Sequence, residues 1–227
     1  MTMATSLDRK WNRWFDVVRG DIVNAHYYRR IYRDVGSIVA ENPAIPKPSS
    51  FYVLLSQGYV TLELVIIRRQ VGHVRKDSIS LTRLLKDIEA HPTVLSRQRF
   101  HGLFEVQGLD LARIDRKFCD AGVDPCHEHI DPASVRDDLC LLEQQTNLVH
   151  KYTDKAIAHL DAHGCKGAPT FGDIDDAIDL LARLCRKYSM LLRGDEIRCF
   201  EPIMGPGWQD VFKVPWIQEE KCATPQE

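Results

Sequence analysis

The sequence predicts an all-α fold, a bundle of long antiparallel helices with extra short helices and an irregular C-terminal strap. Three observations point there. Apolar residues recur at spacings of three and four, and no strand-like alternation occurs before the tail. Proline and glycine clusters divide the chain into segments. Capping residues stand at the segment starts: Ser49 or Ser50, Ser78 or Ser80, Asp131 followed by Pro132, and Thr170.

Asp8 is placed to cap an aromatic-rich helix through Trp11, Trp14, Phe15 and Val18. Helical spacing resumes from Asp21 to about Glu41, until the segment Pro43–Ser50 breaks it. The next helix is mostly apolar and runs to about Gly72. Its apolar residues wrap much of the circumference, which predicts a central position. Leu81 to Ala90 forms a helix ended by Pro92. Another runs from Val94 to about Leu103, and a weaker pattern continues through Leu111 and Ile114 to Ala121.

Asp131-Pro132 opens a helix that can run to Gly164. Val135, Leu139, Leu142, Thr146, Val149, Thr153, Ala156 and Leu160 form one stripe along it, facing a partner helix. Thr170 caps a last strong helix, Asp173 to Leu192. Its acidic start and basic end suit the helix dipole. Beyond it, Pro202, Gly205-Pro206-Gly207, Trp208, Phe212, Pro215 and Trp216 predict a strap packing aromatics on the bundle. The chain reads as a single domain over 1–227, with a core of about 10–193 and the strap at 194–227.

The 227 residues carry a net charge of −2, so no global field recruits nucleic acid and any such site must be a local patch. Residues Met1 to Arg9 are polar and lack the apolar core of a signal peptide. No run reads as long and apolar enough to span a membrane. The best candidate, Phe51 to Ile67, is interrupted by Ser56, Gln57, Thr61 and Glu63. Seven widely spaced cysteines without a Cys-x-x-Cys fit free thiols, so the expected location is the cytoplasm.

The segment Thr153-Asp-Lys-Ala-Ile-Ala-His-Leu-Asp161 carries the chemistry. On a helix, Lys155 and His159 lie one turn apart and can face one phosphate. Histidine can move a proton near neutral pH, and an adjacent cation can stabilise phosphorane charge. RNA needs little more, because its own 2′-hydroxyl is the nucleophile. The plainer alternative is a surface turn in which both residues favour the helix dipole, and on the residues alone it carries more weight.

The same segment resembles the Arg-Asn-Lys-x-x-Ala-His motif of HEPN domains, with Lys155, Ala158 and His159 in the lysine, alanine and histidine places. Asp154 stands at the polar place beside the arginine position. The blocks Leu62–Gln70 and Asp77–Leu85, with the two-tryptophan tail, resemble the AbiU-type abortive-infection branch of that superfamily. The resemblance covers most of residues 10–217. It implies a homodimeric protein of prokaryotic defence or toxin type, with RNA as target and an antitoxin or other protein as partner. It also implies metal-independent endoribonuclease activity without a cofactor. His159 would transfer the proton, with Asp154 orienting it or a neighbour and Lys155 as the cation. The alternative is a non-catalytic module that binds RNA, a nucleotide or a protein.

The chain departs from the motif at Thr153, which occupies the arginine position. Threonine supplies neither positive charge nor a forked donor. Lys151 or Lys155 is one replacement. A second is the Arg68-Arg69-Gln70-Val71-Gly72-His73 run, in which Arg68 or Arg69 would reach across the bundle toward His159. The plainer reading of these arginines is capping of their own helix. Residues 68–117 hold eleven Lys/Arg against six Asp/Glu, a local excess that could follow a phosphate backbone. Cys119, Cys126, His127 and His129 match no standard zinc module, and no metal is expected.

Overall fold

The computed structural model describes residues 3–45, 49–72, 77–105, 110–158 and 167–214. Seven α-helices occur among them: α1 (Met3–Glu41), α2 (Ser50–Val71), α3 (Leu81–Ala90), α4 (Arg97–Gly102), α5 (Leu111–Asp120), α6 (Pro132–Tyr152) and α7 (Phe171–Arg193). No strand occurs among the described residues, so the all-α class holds.

The long helices α1, α2, α6 and α7 form the bundle, and their partner pairs give the directions. Asp21 meets Gln70 and Tyr32 meets Tyr59, so α1 and α2 are antiparallel. Arg193 bonds Asn12 while Arg33 pairs with Asp175, so α7 is also antiparallel to α1. Arg68 pairs with Asp154 and Gly72 lies beside His150, so the C-terminal ends of α2 and α6 lie together. Trp11, Phe15, Ile22, Leu64, Leu84, Val149 and Leu181 fill the centre. A second aromatic knot, Phe100, Phe104 and Phe118, joins α4 to α5.

Local chemistry explains most helix ends. Ser49, Ser80, Ser96, Asp131 and Thr170 each accept a backbone N–H with the side chain. Thr170 forms a full capping box with Asp173. α7 stops at Gly194, whose φ of 68° is left-handed. A Cβ there would lie 2.7 Å from Phe104 Cζ.

Four expectations are corrected. α1 is one helix of 39 residues, and Gly20 does not interrupt it. Val18 and Ile22 are fully buried on either side, and their packing outweighs the roughly 1 kcal/mol helix penalty of glycine. Asp8 is therefore not a cap, and binds Arg99 Nε at 3.0 Å instead. α2 is only partly central: Phe51, Leu54, Leu62 and Val65 are exposed, while Glu63, Leu64, Ile67 and Gln70 face inward. By length and composition α2 also meets the requirement for crossing a membrane. α6 ends at Tyr152 and passes into a single π-helical turn, Thr153–Ala158, rather than continuing to Gly164. In the strap, Phe200 is buried, but Phe212 remains exposed beside a short 3-10 turn, Trp208–Phe212.

Candidate functional site

The last turn of α2 and the π-turn after α6 meet at one place. Arg68 lies at the end of an apolar helix whose final turn carries two arginines. Its Nε donates to Asp154 Oδ1. The other carboxylate oxygen, Asp154 Oδ2, lies 3.4 Å from His150 Nε2, one helical turn earlier on α6. One carboxylate thus spans a guanidinium and an imidazole. Both charged side chains of the Arg68 pair are about a third exposed, so the pair lies at a surface that a ligand can reach.

Gly72 closes the arrangement. Its N–H bonds Arg68 O at 2.8 Å. A Cβ there would lie 2.8 Å from the same carbonyl and 3.9 Å from His150 Nε2, so only glycine lets the chain turn this close to the ring. Beside it opens a cavity of about 210 Å³, lined on α6 by Glu143, Asn147 and His150 and on α3 by Thr82 and Lys86.

Thr153 is fully buried and donates its hydroxyl to Val149 O at 2.7 Å. Thr146 does the same toward Leu142 O at 2.7 Å. Both threonines belong to the buried stripe of α6, and their hydroxyls are satisfied by their own helix. An arginine at 153 would have to bury its charge among core side chains. The structure places a guanidinium beside the motif from a different helix.

The other candidates separate. Arg69 turns to α1, with Nη2 at 3.1 Å from Asp21. Lys151 and Lys155 are exposed. His159 and His73 lie outside the described residues. Among the described residues no three His, Cys, Asp or Glu side chains gather as a metal site, and Cys119, Cys126, His127 and His129 do not form one. Sequence reasoning missed His150, Lys86, Glu143 and Asn147. The one signal for His150 was its place one turn before Asp154, on the same helix face.

The strongest shifts in proton affinity lie elsewhere, between α1, α2 and α7. Glu63 is fully buried, and neither carboxylate oxygen has a hydrogen-bond partner. Burial pushes its carboxyl up to about 8, against the pull of the Arg29 guanidinium. His26 stacks on Phe200 with ring centroids 5.2 Å apart. Its Nδ1 lies 3.1 Å from Arg29 Nη2, so Nδ1 accepts and the ring is neutral. Burial, assisted by Arg29, lowers its pKa to about 4. Arg29 itself pairs with Asp179 at 2.8 Å and Asp175 at 3.4 Å, tying α1 to α7.

Comparison with protein-family models, curated proteins and solved structures returned no match to this chain.

Proposed function

We propose that this chain is a HEPN-like, RNA-targeting protein in which Arg68 supplies the cation absent at Thr153. The observation that carries the reading is the ion pair from Arg68 to Asp154, inside the motif segment itself. In the proposed reaction the RNA 2′-hydroxyl attacks the adjacent phosphorus and loses its proton to a base. The 5′-oxygen leaves with a proton, and a cyclic phosphate remains. His159 is the proton-transferring residue, Arg68 stabilises the phosphorane charge, and Asp154 holds Arg68 and His150 in place. No metal is required by this chemistry. The proposed context is a cytoplasmic homodimer of defence or toxin type, with a protein antitoxin as partner.

The non-catalytic reading draws on a specific observation too: Asp154 already neutralises Arg68 and makes it a weaker phosphate clamp. Incubating total RNA in chelator with wild type, His159→Ala and Arg68→Ala separates the two. Cleavage by wild type that both variants lose supports the catalytic reading. Well-folded wild type that cleaves nothing leaves only the binding module.

A further inference from the structure

A second site lies on surface that the motif does not use. The last turn of α5, one face of α7 and the strap at 196–198 enclose a cleft of about 770 Å³. None of its lining residues lines the cavity beside His150. On α7 its cations follow helical spacing: Arg183, Arg186 and Lys187 share a face with Met190. Lys117 comes from α5 and Arg198 from the strap.

These cations differ in what they already hold. Lys187 is neutralised by Asp138 at 2.6 Å and also donates to Ser134. It reaches them by passing Gly122, whose φ of 87° and missing Cβ leave it room; a Cβ would stand 3.2 Å from Lys187 Cε. Lys117, Arg183, Arg186 and Arg198 make no ion pair among the described residues. Arg186 is held in place, with Nε donating to Ile197 O at 3.1 Å and its guanidinium over the Phe200 ring at 5.0 Å. Two carboxylates, Asp120 and Glu196, share the rim, so the cleft is net positive in a chain whose net charge is −2. Its floor is apolar, made by Ala121, Met190 and Ile197.

Unpaired cations brought together from three separate elements cost repulsion, which an anion relieves. Arginine forks match phosphate oxygens in pairs. An apolar floor beside them accepts a flat heterocycle but offers nothing to inorganic phosphate. We propose that this cleft binds a nucleotide unit, with its phosphate on Arg183, Arg186 and Arg198 and its base against Met190 and Ile197. The unit is either a free nucleotide or part of an RNA strand. Binding here does not depend on cleavage at the motif.

The test measures binding of ATP, of a fluorescent oligouridylate and of pyrophosphate to the full chain. Wild type is compared with the double variant Arg183→Gln/Arg198→Gln and with Arg68→Ala. Both glutamine positions are exposed, so the double variant should keep the wild-type melting temperature. Its affinity for the nucleotide ligand should fall roughly tenfold or more. For RNA the salt dependence, the slope of log K against log salt, should flatten by about one to two. Arg68→Ala should bind as wild type does. Loss confined to ATP identifies a free nucleotide, and loss confined to the oligouridylate identifies an RNA strand. Unchanged binding by the double variant overturns the proposal. So does a wild type that binds neither nucleotide ligand, or one that binds pyrophosphate as tightly as ATP.

Discussion

Replacing Glu63 by glutamine should change how the stability of this protein depends on pH. Glutamine keeps the volume of the buried side chain and fixes it in the neutral form. Burial raises the Glu63 carboxyl from 4.5 to about 8, which at 1.36 kcal/mol per unit corresponds to about 5 kcal/mol across the whole window. An acid raised in this way takes up a proton on folding. Its share of stability is complete below pH 4.5 and is lost as the pH rises toward 8. His26 works in the opposite sense. Its lowered value means that its share is complete above pH 6.5 and is lost as the pH falls toward about 4, in total about 3 kcal/mol. Between pH 4.5 and 6.5 the two slopes oppose each other and the wild-type curve should be nearly flat. From pH 6.5 to 8 only Glu63 remains, and wild type should lose about 2 kcal/mol. Glu63→Gln should be flat in that upper range and should instead lose stability below pH 6.5. Urea titrations at half-unit steps of pH read both curves directly. Parallel wild-type and variant curves would refute the reasoning, because they would mean that Glu63 is charged in the folded protein.

Other substitutions test the scaffold. Gly194→Ala forces a left-handed residue against Phe104 and should cost about 2–4 kcal/mol in chemical denaturation, from backbone strain plus overpacking. Thr170→Ala removes the capping box of α7 and should cost about 1 kcal/mol, read as a lower denaturation midpoint. Burial pushes the Cys185 thiol up to about 12, so a thiol reagent at mildly alkaline pH should modify the exposed Cys126, Cys140 and Cys199 and leave Cys185 intact until the protein unfolds.

How legible each element was in the sequence depends on how far its signal reaches. Helix starts were legible because a cap is local: Ser80 needs only the N–H of Arg83, three residues on. The buried stripe of α6 was legible for the same reason, and it put Thr153 in the core. The continuity of α1 through Gly20 was not, since it rests on distant side chains packed around Val18 and Ile22. Among site residues, Arg68 carried a visible oddity, a charge ending an apolar helix, yet its choice of Asp154 over Asp21 is tertiary. Glu63 was equally odd inside Leu62–Ile67 and served only as a reason against a membrane span. The basic cleft left the weakest trace, because Lys117, Arg183 and Arg198 come from three elements far apart in the chain.

The π-turn at Thr153–Ala158 bears on how this chain can change. A wide turn of this kind accommodates one residue more than regular winding requires. Deleting a single residue within it would therefore act as a rotation and hardly as a shortening, swinging the downstream chain by about 100° around the helix axis. Asp154 and the residues after it would then address a different neighbour, while the stripe before Thr153 stayed in phase. Substitutions along α6 adjust its packing; a change in length at this turn would choose which partner its end meets.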